Sequence, residues 1–141
     1  MTLHGLNYWA VLIGIIFTFA SGATWFGPKT FYPKWMAAMG INPADNIGKV
    51  KPSQVFSALV VAIVLQVFVI AAIITTLKHG NSEFGAADGA IVGFLLGAVI
   101  CAMPNLSHRM FAGNGFKVWL IENGNDILNM TVVAAIIAGL N

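Results

Sequence analysis

The sequence predicts an all-α integral membrane protein, a four-transmembrane-helix bundle with an interfacial segment in its first loop. Three observations predict it. Hydrophobic residues make up 58% of the 141 and charged residues only 9%, where soluble domains carry about 25% charge. Four stretches each supply the roughly 20 apolar residues that a spanning helix needs. Clusters of Gly, Pro and charged or polar residues mark the breaks between those stretches. A soluble fold of this composition would turn large apolar patches to water, which monomers rarely tolerate. The whole chain, 1–141, therefore reads as a single transmembrane domain.

The first stretch covers residues 7–26 and stops at Gly27-Pro28. Ser21-Gly22-Ala23 has the small residues of a cleavage site, but no Lys or Arg precedes Tyr8. A signal peptide needs that positive leader, so the stretch is expected to stay as a span. A long loop follows, broken by Pro33, Gly40, Pro43, Gly48 and Pro52. At its start Trp25, Phe31, Tyr32 and Trp35 lie close to Lys29 and Lys34 in sequence. Aromatics beside lysines suit the headgroup layer, so these four are expected as interfacial anchors. The remaining stretches cover residues 53–77, 86–110 and 116–140. All four are expected as helices, because lipid offers no partner to an unpaired backbone group.

Basic residues set the expected orientation. Lys29, Lys34, Lys49, Lys51, Arg109 and Lys117 fall on one side of the bundle, and Lys78 on the other. The positive-inside rule then places the long loop in the cytoplasm and both termini outside it. The expected location is the inner (plasma) membrane of a bacterium, with membrane lipids as partners.

Two patterns stand out within the spans. Gly85, Gly89, Gly93 and Gly97 recur every four residues, with Cys101 next in the series. That spacing makes a nearly straight bare stripe on which another backbone can pack closely. The stripe serves either inside this bundle or against a second copy or another membrane subunit. Cys101 is expected as a small packing residue, and a single cysteine excludes an intrachain disulfide.

The second pattern is polar. In the last stretch Glu122, Asn125, Asp126 and Asn129 share a helical arc of about 100°. With entry near Phe116, Glu122 lies about 9 Å deep and Asp126 about 15 Å, near the midplane. An acidic group there costs roughly 2.5–3.5 kcal/mol, so these residues should face protein or a wet cavity. Asn105, His108 and Arg109 on the preceding stretch, and Gln66 on the second, are the expected partners. Pro104 is expected to disturb the helix that carries them. The cluster is either a structural network or a site where Glu122 or Asp126 exchanges protons or cations with the cytoplasm.

Other classes are excluded or weak. A net charge of +2 without a basic run gives no nucleic-acid footprint. There is no HExxH, GxSxG or phosphate-binding glycine loop. His4, His79 and His108 are scattered and fall on opposite sides, so no metal site, cofactor or catalytic activity is expected. Past Asn129 the last stretch is apolar apart from Thr131, which argues against a continuous aqueous pore.

The run Trp25-Phe26-Gly27-Pro28, then Phe31, Trp35-Met36 and Gly40, resembles the opening signature of a bacterial membrane family catalogued as domain of unknown function 1761. Length, the four spans and the asparagine-bearing last stretch are similar too. Tyr32 departs from the pattern, which carries a glycine there. The resemblance implies a membrane fold and supplies no activity or site residue. The expected function is a small membrane interaction protein, self-associating as a homo-oligomer or serving as an accessory subunit. The alternative is a small-solute or proton-coupled transporter using Glu122 and Asp126.

Overall fold

A computed structural model describes residues 5–42 and 51–141, and among them every regular element is a helix. His4 and Lys49, used above, lie outside the described residues. Helix α1 (Tyr8–Trp25) opens at Asn7, whose side chain accepts the backbone N–H groups of Trp9 and Ala10. That cap satisfies donors with no partner inside the helix. Helix α2 (Tyr32–Met39) is short, with Pro33 in its first turn and Gly40 closing it at φ 68°. Glycine takes that left-handed conformation without strain. Helix α3 (Pro52–Gly80) begins with a proline, whose missing N–H costs nothing there, and ends with Lys78 and His79 against the negative end of its dipole.

Helix α4 (Ala86–Leu95), a π-helical segment (Leu96–Cys101) and helix α5 (Ala102–Phe111) form one long helical stretch. Gly113 and Gly115, both at positive φ, make the tight turn into helix α6 (Gly115–Leu140). The observed ends fall within one helical turn of those expected.

Three helices, Tyr8–Trp25, Pro52–Gly80 and Ala86–Phe111, are long and apolar enough to cross a membrane. α6 has the length but not the apolarity. Its position explains this, because it packs against each of α1, α2, α3, α4 and α5. A helix flanked by protein is free to carry Glu122 and three asparagines where a lipid-facing helix is not, while Asp126 is exposed rather than covered by protein.

The two ends of the molecule differ. At the end that holds Asn7 and Asn141, Ala10, Val67, Ile70, Ile74, Val133 and Ile137 form a closed apolar core. A polar clasp seals it. Asn7 donates to the Leu140 carbonyl at 2.8 Å, Asn141 donates to the Thr75 hydroxyl at 2.9 Å, and Lys78 donates to the Ala138 carbonyl at 2.8 Å. At the other end α3 leaves the core. No residue from 51 to 62 is buried, while Ile63, Val67 and Ile70 and several residues beyond them are.

The glycine stripe is used within the chain. A Cβ on Gly89 would lie 2.5 Å from the Ala134 carbonyl oxygen, and one on Gly97 would lie 2.8 Å from Ile127 Cα. A Cβ on Gly93 would strike the Met130 carbonyl oxygen and the Ala134 methyl. α4 and α6 thus touch backbone to backbone. Gly85 stands apart, since it caps α4 and its nearest neighbour would be the Glu83 carbonyl oxygen at 3.8 Å.

Cys101, expected as the next packing residue, is exposed instead, and Ala102 is fully buried. The π-helical segment is the reason. It adds one residue to the turn, so the inward face passes from Gly97 to Ala102 rather than to Cys101. Pro104 lies just beyond. Its ring cannot sit against the carbonyl four residues back, and the widened turn makes room for it.

Candidate functional site

After the π-helical segment, the inward face of α5 carries Ala102, Asn105 and Arg109 toward the first half of α6. Arg109 meets Glu122 in a forked ion pair, with Nε to Oε2 at 2.8 Å and Nη2 to Oε1 at 2.9 Å. Its Nη1 also donates to Asn114 Oδ1 at 3.3 Å. This geometry is the strong, directional form of an arginine–carboxylate contact.

A third donor reaches Glu122 from α2, where Trp35 Nε1 donates to Oε1 at 2.9 Å. Beside it, Trp25 Nε1 donates to the Ile121 carbonyl at 2.9 Å and its ring stacks on Phe31 with centroids 4.3 Å apart. Lys34 Nζ lies 5.3 Å from the centre of the Phe31 ring, and Tyr32 stacks on Trp35. The aromatic segment is therefore folded over the start of α6, with Trp25 and Trp35 tied to it by hydrogen bonds.

A second network lies deeper. Asn105 Nδ2 donates to Asn123 Oδ1 at 3.1 Å, and Asn123 Nδ2 donates to the Trp119 carbonyl at 2.9 Å. Trp119 Nε1 donates in turn to the Ala102 carbonyl at 2.7 Å. Asn123 is 1% exposed. It belongs to the polar group of the last stretch in sequence but sits outside the arc of Glu122, Asn125, Asp126 and Asn129, so periodicity does not place it with them.

The expected cluster is thus divided. Glu122 with Arg109, and Asn105 with Asn123, form hydrogen-bonded pairs between α5 and α6. His108 points away and is exposed. Asn125, Asp126 and Asn129 turn to the opposite side, toward α1 and α3. There they line a cleft of about 560 Å³ with Thr18, Phe19, Gly22, Ala23, Phe26, Phe56, Leu59, Ala62, Ile63 and Gln66. The cleft exists because the first half of α3 stands away from the core. It runs from Phe26 and Phe56 at the loop end to Thr18, Gln66 and Asn129 at mid-bundle. Beyond that, Gly14 is wedged between Val67 and Val133 and the core closes.

Within the cleft the polar groups are unevenly satisfied. Asn125 Oδ1 accepts from Ser21 at 3.3 Å, and Thr18 donates to the Gly14 carbonyl at 2.9 Å. Asn129 is 3% exposed and its Oδ1 has no hydrogen-bond partner. Among the described residues no donor or cation reaches the Asp126 carboxylate. No group of three or more His, Cys, Asp or Glu that could hold a metal occurs among the described residues.

No curated protein and no solved structure matches the sequence. A family model does, over residues 9–138, nearly the whole chain. The aromatic-proline signature that suggested the family forms the cap over Glu122, and the matched span includes both networks and the cleft. The chain belongs to the family described as protein of unknown function (DUF1761).

Proposed function

We propose that the chain is an integral membrane four-helix bundle that takes up small cationic solutes or protons at Asp126, from a vestibule on the cytoplasmic side. One observation carries the reading. Of two carboxylates a single turn apart on α6, Glu122 has three donors and Asp126 has none among the described residues. Asp126 lies about 16 Å along α6 from Gly115, close to its middle. A bare carboxylate at that depth in lipid is costly, so it calls for a counter-charge, a proton or water. The cleft supplies access for one from the loop end, where the positive-inside rule puts the cytoplasm. The closed core beyond Asn129 fits a binding site that opens to one side at a time, not a standing pore.

The test is the full-length chain in proteoliposomes, with proton and monovalent-cation uptake followed by entrapped dyes. Uptake by the wild type that disappears in Asp126→Asn, with helicity and monodispersity kept, is the expected result. Equal uptake by both proteins overturns the reading.

A second reading, a self-associating or accessory subunit, is favoured by the uncovered first half of α3, where Val55, Phe56, Leu59 and Val61 are exposed. A neighbouring subunit would cover that face as well as lipid does. The glycine stripe no longer supports it, being spent between α4 and α6. The mass of the intact assembly after gentle extraction tests it, and a single chain at every protein concentration counts against it.

A further inference from the structure

Building on the Asp126 reading, we infer that the cleft between α1, α3 and α6 binds an organic ammonium ion: one positively charged nitrogen on an apolar or aromatic body. Four features of the cleft carry this. Its volume, about 560 Å³, is in the range of sites for drug-sized molecules, roughly 300–1,000 Å³. A bare monovalent metal ion would leave most of that space unfilled. The walls are apolar and three of the residues lining them, Phe19, Phe26 and Phe56, are aromatic. Rings of this kind attract a cation through their faces and pack against its hydrocarbon part. The charge in the cleft is a lone carboxylate, Asp126, unpaired among the described residues. It repels anions and gains nothing from a neutral guest. Finally, the deepest polar residue, Asn129, is 3% exposed and has an acceptor oxygen with no donor. Buried acceptors are seldom left so, and an N–H beside Asp126 would supply what is missing.

A metal ion fits less well. Hard cations take about six oxygen ligands in a close shell. Here the side-chain oxygens come from one carboxylate, three amides and a hydroxyl already engaged with Gly14, spread along an apolar cleft. The cleft also opens where α3 stands apart, so a guest with a hydrocarbon body can enter from the membrane interface. Two sources share this chemistry, a dissolved amine and the ammonium headgroup of a lipid.

The experiment uses the full-length chain in nanodiscs of phosphatidylglycerol, with benzylammonium as probe and ethylbenzene as its uncharged counterpart, both measured by equilibrium dialysis. The charged probe should bind at least tenfold more tightly than the neutral one. Asp126→Asn should abolish that preference and Asp126→Glu should restore most of it, while Phe56→Ala should weaken binding several-fold. Asp88→Asn, at the far end of the molecule, should change nothing. Adding phosphatidylethanolamine distinguishes the sources. Lost probe binding identifies the headgroup as occupant, unchanged binding identifies a dissolved amine, and either supports the ammonium class. Equal binding of charged and neutral probes, or binding indifferent to Asp126→Asn, overturns the inference. If no probe binds yet Asp126→Asn still abolishes proton or cation uptake, the ligand class falls and the Asp126 reading stands. If neither assay responds, both fall.

Discussion

Replacing Gly93 with alanine tests the tightest of the described glycine positions. The added methyl would strike the Met130 carbonyl oxygen and the Ala134 methyl of α6. The oxygen belongs to the backbone, so no side-chain rotation relieves it and the two helices must separate. At Gly89 the same change places the methyl 2.5 Å from the Ala134 carbonyl oxygen. Ordinary contact begins near 3.4 Å, so α4 must move by about 1 Å, and by more at Gly93. Overpacking of this kind costs about 1–3 kcal/mol. Against it stands the helical preference of alanine over glycine, about 1 kcal/mol. Gly22 provides the control, because a Cβ there meets nothing within 4 Å. Gly22→Ala should show the helical gain alone, and Gly93→Ala should fall below it by about 1–3 kcal/mol. Reversible denaturation by sodium dodecyl sulfate in mixed micelles, followed by tryptophan fluorescence, measures both. If Gly93→Ala matches Gly22→Ala, the two helices are not packed backbone to backbone.

The paired and unpaired polar groups give further tests in the same assay. Arg109→Met strands a carboxylate that is partly shielded from solvent, with 17% of its side chain exposed, and should cost about 1–3 kcal/mol. Arg109→Met with Glu122→Met should cost less than the two singles summed, because the second change removes the stranded charge. Asn105→Leu leaves Asn123 Oδ1 without a donor and should cost about 1–3 kcal/mol, whereas Asn105→Ser, which keeps a donor nearby, should cost less. Trp35→Phe keeps the ring but loses the bond to Glu122, at about 1 kcal/mol. Its sharper readout is faster protease cleavage within Tyr32–Met39, with the helices that bury the core untouched.

Much of the fold was legible because long apolar runs bounded by glycine, proline and charge read plainly as helices. Apolar runs of the right length gave the helices, and glycines four apart gave a close-packing stripe whose partner, α6, only the structure supplies. What escaped depended on neighbours distant in the chain. α6 has a span's length, yet its asparagines are sheltered through central packing, which no local window reveals. Cys101 continued the glycine series on paper. A π-helical segment ahead of Pro104 moved Ala102 into its place, and the proline was the one available warning. Trp35 looked like a headgroup anchor, since nothing near it in sequence announces a carboxylate 87 residues away. Asn123 fell outside the polar arc because it faces α5 while the others face α1 and α3.

Asn123 and Asn129 also show why the polar cluster is two devices and not one. Six residues along a helix turn through about 240°, so the two amides face different neighbours. Asn123 meets Asn105 and is saturated, whereas Asn129 meets the cleft and keeps an empty acceptor. A purely structural network has no use for the second arrangement, because a leucine at position 129 would fill the space without an unpaired oxygen. Asn129→Leu therefore separates the roles. Acting on stability alone, it should hold or raise the denaturation midpoint, since the lost group makes no bond through its oxygen. Acting on binding, it should weaken benzylammonium severalfold while leaving the Arg109–Glu122 pair intact. A clear drop in stability with unchanged binding would place Asn129 among the structural residues and leave Asp126 as the sole polar feature of the cleft in need of a ligand.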